Sequence, residues 1–267
     1  MKVKDKVIVV TGGGNGMGKE LVLHLLSKGA KVIAVDRNES ALKETAVTAE
    51  MLGYSLKTFV VDITNRQDVE TLADNAIAHF GYVDGIINNA GIIQPFIKLN
   101  DLSYEEIERV MQVNLYGTLY VTKSFLPHLL IRPEGHVVNV SSMGGFLPVP
   151  GQTIYGATKA AVKLLTEGLN SELTNTNVKV SVVFPGAIST NIMKNSGLQV
   201  EEKPISKAQA AMLTSPSKAA KIIVEGMESN RYRIFVGMDS KFVDLYYRLN
   251  PKSAAAFISK KMKGLVE

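Results

Sequence analysis

The chain has 267 residues, enough for a single α/β domain with a large buried core, and its 46% apolar and 21% charged content is ordinary for a globular protein. With no cysteine it can hold no disulfide, thiol nucleophile or cysteine-bound metal, and its four scattered histidines (His24, His79, His128, His136) read as surface or helix residues, which disfavours a metal enzyme. Of the net charge of +5, most lies from Ser240 onward, where six Lys or Arg face two acidic residues; the body keeps 24 of the 30 basic and 23 of the 25 acidic residues and gives no footprint for nucleic acid.

No run of 18 or more apolar residues predicts a spanning helix, and no long apolar stretch follows the charged first residues as a signal peptide would, so a cytoplasmic chain is expected. Apolar runs predict strands near 6–11, 31–36, 56–61, 84–88, 135–141, 178–184 and 233–236. Helical periodicity predicts helices near 16–28, 39–52, 66–80, 103–130, 155–174 and 216–229. Strict alternation with right-handed crossovers implies an α/β fold: a Rossmann-like, doubly wound parallel sheet of about seven strands with helices on both faces, forming one domain over 1–240.

The first strand runs into Thr11-Gly12-Gly13-Gly14-Asn15-Gly16-Met17-Gly18 and then a helix. Strand, glycine turn and helix in that order let a phosphate approach the backbone at a positive helix N-terminus. The spacing Gly12, Gly16, Gly18 is not a literal G-x-G-x-x-G, and glycines also collect in turns for steric reasons. The second strand, however, ends at Asp36, 18 residues after Gly18, where a carboxylate would accept from a ribose 2′-hydroxyl.

Tyr155 and Lys159 stand one helical turn apart in Tyr155-Gly156-Ala157-Thr158-Lys159. A cation beside the phenol is expected to pull its pKa below about 10, so that it exchanges a proton with an alcohol oxygen near neutral pH. From Pro185 the alternation pauses, and 186–215 reads as a substrate loop or lid. After Pro251, Ala254, Phe257, Ile258, Met262 and Leu265 recur at helical spacing with Lys260, Lys261 and Lys263 off that stripe. The tail 241–267 is therefore a basic amphipathic helix that docks on its own body or a partner subunit, or makes peripheral membrane contact.

Together these pieces resemble the short-chain dehydrogenase/reductase family over residues 4–240. Thr11-Gly12…Gly16-Met17-Gly18 looks like its cofactor turn and Asn88-Asn89-Ala90-Gly91 like the motif after its fourth strand. Asn114 fits its helix asparagine, Ser142 lies thirteen residues before Tyr155, and Pro185-Gly186 followed by Ile188 and Thr190 resembles the segment that meets the nicotinamide. The resemblance implies an oxidoreductase that interconverts an alcohol and its ketone or aldehyde. In it Ser142 holds the substrate oxygen, Tyr155 is general acid or base, Lys159 lowers the tyrosine pKa and bonds the nicotinamide ribose, and Asn114 holds a water linking Lys159 to solvent. Asp62, with Ile63 after it, resembles the residue that bonds adenine, although a turn aspartate reads as well.

Asp36 and the absence of a basic residue at Asn15 point to NAD rather than NADP, while Arg37 could pair with a 2′-phosphate or stack on adenine. The segments 92–96 and 144–148, with Ile192, Met193, Leu198, Met212 and Leu213, read as pocket walls for a hydrophobic substrate, or pack together over a small pocket. Helices 103–130 and 155–174 resemble those that build family homodimers and homotetramers. The rivals are a catalytically silent dinucleotide-binding scaffold, which predicts loss of a catalytic residue, and a nucleotide-sugar epimerase, which would need a larger C-terminal domain.

Overall fold

The computed structural model describes residues 1–198 and 213–262. Its strands are β1 (Val7–Thr11), β2 (Lys31–Asp36), β3 (Lys57–Val60), β4 (Gly85–Asn88), β5 (Gly135–Val140), β6 (Val178–Pro185) and β7 (Arg233–Val236). Between them run α1 (Gly16–Ser27), α2 (Glu39–Met51), α3 (Arg66–Phe80), α4 (Tyr104–Met111), α5 (Thr118–Leu130), α6 (Thr153–Glu172), the short α7 (Ile192–Asn195) and α8 (Pro216–Glu228). Two more helices follow β7: α9 (Met238–Leu249) and α10 (Pro251–Lys261).

All strand pairs are parallel, in the order β3-β2-β1-β4-β5-β6-β7. A sheet buried on both faces needs apolar residues at every position, and β1 is fully buried from Val7 to Thr11. Its side chains alternate: Ile8 and Val10 join the core under α1, α2 and α8, while Val7 and Val9 join the core under α3, α5 and α6. The order reverses between β1 and β4, which opens a crevice at the carboxyl ends of the strands. At their other end the buried Asp84 accepts from Val7 N (2.9 Å) and Arg132 Nε (2.9 Å), pinning β4 to β1.

The seven expected strands are all present. The expected helix 103–130 is broken: a π turn at Gln112–Gly117 separates α4 from α5. The wide turn aims Asn114 inward and sets Gly117 against Ile63, where a Cβ would stand 2.6 Å from Cδ1. His136 also departs from the expected surface or helix setting. It lies buried in β5 with Nε2 2.9 Å from Ser181 Oγ, and burial pushes its pKa down to about 3.

The helical tail expected over 241–267 is two helices, α9 and α10, divided at Asn250. Helix α9 is fixed by Ser240 Oγ donating to Phe184 O (2.7 Å) and by Asp244 accepting from Arg233 (2.9 Å) and Arg248 (3.1 Å). In α10, Ala254 and Ile258 are buried against Leu147 and Val243, so the predicted apolar stripe of the tail packs on the chain's own body, with Phe257 left 48% exposed. Met212, Lys263 and Leu265 lie outside the described residues, as does part of the predicted lid. Among the described residues no helix is long and apolar enough to cross a membrane.

Candidate active site

The crevice at β1 and β4 is a cleft of about 830 Å³. On its floor, Gly12 and Gly16 hold φ of +67° and +50°, conformations that side-chain-bearing residues rarely adopt. A Cβ on Gly18 would collide with Gly12 O and crowd Asn89 Nδ2, so only glycine lets α1 start this close to the turn. The result is a bare backbone cradle at a helix N-terminus, which fits the pyrophosphate of a dinucleotide. The Asn89-Ala90-Gly91 segment locks against this turn. Thr11 Oγ1 accepts from Asn89 N and Ala90 N (3.1 Å each), and Asn89 Nδ2 donates to Thr11 O (3.0 Å).

Asp36 ends β2 with one oxygen accepting from Gly14 N (3.1 Å) and the other from Asn38 N (3.0 Å). A carboxylate has lone pairs beyond these two bonds, so it shapes the turn and still faces the cleft. Asp62 closes a turn, Oδ1 accepting from Thr64 N (2.9 Å) and Thr64 Oγ1 (2.8 Å), and also borders the cleft beside Ile63. Asn15, Met17 and the exposed Arg37 line the same end; Pro185, Gly186, Ile188 and Thr190 line the other. Gly16 and Thr190 face each other across it, since a Cβ on Gly16 would stand 3.5 Å from Thr190 Cβ.

Ser142, Tyr155 and Lys159 share one wall. Ser142 Oγ accepts from Gly144 N (3.0 Å) and stands beside the Tyr155 phenol, where it favours the charged form. Lys159 Nζ donates to Val140 O (3.0 Å) at the end of β5 and stands 5.9 Å from the Tyr155 ring centre. Burial brings its pKa down to about 8. The expected lowering of the Tyr155 pKa is not found: burial raises it, and only the Ser142 hydroxyl opposes that rise. The ammonium is bonded to a strand carbonyl rather than to the phenolic oxygen, and burial weakens its own charge.

Asn114 alone of the predicted site residues does not line the cleft. It is fully buried behind Gly91, where an added Cβ would stand 3.2 Å from Asn114 Oδ1 and 3.1 Å from Lys159 Nζ. Its amide donates to Ile92 O (2.9 Å) and Thr158 Oγ1 (3.1 Å), and Oδ1 accepts from Ile92 N (2.9 Å). Both amide hydrogens are used, so a water linking it to Lys159 would have to be held by an oxygen.

Sequence reasoning missed Gln94. Its place in the apolar segment 92–96 suggests a pocket wall, but it is fully buried, and its Oε1 accepts from Ile154 N (2.8 Å) and Tyr155 N (2.9 Å). It caps α6 from another loop, while Gln152 Nε2 donates back to Gln94 O (2.8 Å). A glutamine in an apolar run was the available hint. Of the predicted walls, Ile92, Ile93, Phe96, Gly144, Ile192, Met193 and Leu213 do line the cleft. Phe146 and Leu147 pack on α9 and α10 instead, and Met262, expected in the tail stripe, borders the cleft.

The family model for short chain dehydrogenases matches residues 6–201. A Mycobacterium tuberculosis protein named SadH, described as a candidate oxidoreductase, is 38% identical over 252 residues, covering 92% of this chain and 91% of that protein. The structure of a Burkholderia phymatum short-chain dehydrogenase/reductase in complex with NAD superimposes with a TM-score of 0.80 at 28% identity, over 88% of this chain and 90% of that one. Levodione reductase superimposes with a TM-score of 0.81 at 26% identity, over 89% and 98%.

Proposed function

Because this chain belongs to the short-chain dehydrogenase/reductase family, an oxidoreductase family that uses a nicotinamide dinucleotide, we propose that it interconverts a hydrophobic alcohol and its ketone or aldehyde with NAD(H). The observation that carries this reading is the meeting of Ser142, Tyr155 and Lys159 on one wall of a largely apolar cleft. That the set is intact speaks against a catalytically silent scaffold.

When bound, the coenzyme supplies or accepts the hydride. The glycine turn Gly12–Gly18 would hold its pyrophosphate, Asp36 the adenosine ribose, and Asp62 with Ile63 the adenine. Asn89, Ala90 and Gly91, and Pro185, Gly186, Ile188 and Thr190, line the same cleft and would hold the rest of it, the second group at the nicotinamide. Tyr155 Oη gives its proton to the carbonyl oxygen in reduction and takes one from the hydroxyl in oxidation. Ser142 Oγ orients that oxygen, and the Lys159 ammonium favours the phenolate as it forms. Asp36 repels a 2′-phosphate, and this supports NAD over NADP. Apolar walls without a basic clamp support a hydrophobic substrate, and the name of the levodione reductase neighbour adds a ketone precedent. The protein forms a homodimer or homotetramer through α4, α5 and α6, a reading supported by Tyr104 and Leu164 at 80% and 68% exposure.

The test is a panel of apolar ketones and alcohols followed by NADH absorbance. Turnover is expected with NADH well above NADPH, and Tyr155→Phe should lower kcat by about 10²–10⁴-fold. Unchanged turnover in that variant refutes the proton role, and equal efficiency with NADPH refutes the coenzyme preference.

A further inference from the structure

We propose that the outer face of α9 and α10 is a docking surface for an anionic lipid bilayer. Met238, Phe242, Leu245 and Leu249 are 83%, 62%, 58% and 77% exposed. At helical spacing they fall within an arc of roughly 60°. Phe257 of α10 lies against Tyr246 of α9, ring centres 6.2 Å apart, and widens the strip. The opposite side of α9 is committed to the body through Ser240, Val243 and Asp244. Single exposed apolar residues are ordinary, but a continuous strip along two adjoining helices marks an interaction surface.

Charge identifies the occupant. Lys241, Lys252, Lys260 and Lys261 are exposed on the same helices and pair with no carboxylate among the described residues. The acidic groups there are engaged: Asp239 accepts from Ala187 N (2.9 Å), and Asp244 lies between Arg233 and Arg248. An apolar strip edged by uncompensated cations matches acidic headgroups over acyl chains. A second copy fits less well. A two-fold contact would set this patch against itself and bring like charges together, and the nearly neutral body offers no net acidic charge in return.

Met262, directly after α10, borders the active-site cleft, so one element joins the docking face to the cleft. If the substrate is apolar, as proposed above, the docked enzyme meets it in the bilayer; this corollary rests on that reading, and the docking does not.

The experiment sediments the full chain with phosphatidylcholine vesicles with or without phosphatidylserine. Binding is expected only with phosphatidylserine. Leu245→Ser combined with Leu249→Ser should weaken it about tenfold or more, as should Lys241→Glu combined with Lys252→Glu. Both double variants alter exposed residues and should keep NADH binding, measured by fluorescence. A wild type that binds NADH but ignores the acidic vesicles overturns the proposal, and so does a serine variant that sediments as well as wild type. A serine variant whose mass by light scattering drops to a smaller oligomer also overturns it, by assigning the face to a contact between copies. Turnover is not the readout, so failure here leaves the oxidoreductase reading untouched.

Discussion

Burial opposes the charged form of both Tyr155 and Lys159, raising the phenol and bringing the amine down to about 8. The phenol is therefore protonated at neutral pH, the form that can donate to a carbonyl. One helical turn of spacing predicts that the two side chains are neighbours; it carries no information on depth, which decides the direction of the shift. His136 makes the same point away from the site. Below pH 6.5 the unfolded chain takes up a proton at this ring that the folded chain refuses until about pH 3. The unfolded state then binds more protons, so stability falls as pH drops through that window, by about 1.4 kcal/mol per pH unit, and is independent of this ring above it. Urea unfolding at pH 7 and pH 5 should show His136→Gln losing about 2 kcal/mol less than wild type. Equal losses would assign the acid sensitivity to other groups.

At the scale of the element, α6 owes its first turn to Gln94. The N–H groups of Ile154 and Tyr155 would otherwise be unpaired at a helix start, and the helix lacks a cap from Gln152. Gln94→Leu should cost about 0.5–2 kcal/mol in thermal stability. It should also lower kcat, because one of the two lost bonds holds Tyr155 itself, while coenzyme affinity changes little. A melt combined with steady-state kinetics checks this, and a loss of stability without loss of kcat would make the bond purely structural. Periodicity located the strands and most helices because burial on both sheet faces imposes it. It could not see a cap supplied from a distant loop, nor the π turn, whose residues continue a helical pattern on both sides. The tail was expected as one helix, but which side of α9 would be buried was not legible: Ser240 and Asp244 turn to the body beside Val243, while Met238, Phe242, Leu245 and Leu249 turn out.

Over the whole molecule, the glycine turn and acidic strand ends come from the first three strands, and the proposed proton-transfer groups come from the end of β5 and from α6. The glycine turn, Asp36, Asn88-Asn89-Ala90-Gly91, Ser142 and Pro185-Gly186 were legible because each sits where a strand ends, and Tyr155 with Lys159 because they share one face of a helix. That they converge depends on the strand order, which no local pattern encodes. A ligand bridging this seam binds only the folded chain. NADH at about 100 times its Kd should therefore add about 2.7 kcal/mol of stability, read as a rise in melting temperature by calorimetry. No rise would mean that the folded cleft does not retain it.

The reversal of strand order between β1 and β4 also makes the chain divisible by task. The portion before β4 could be transplanted onto a related reductase to carry over its choice of electron carrier without disturbing proton delivery. Exchanging the portion beyond β5 would replace Ser142, Tyr155 and Lys159 together with most of the wall facing the proposed substrate, while leaving that choice in place.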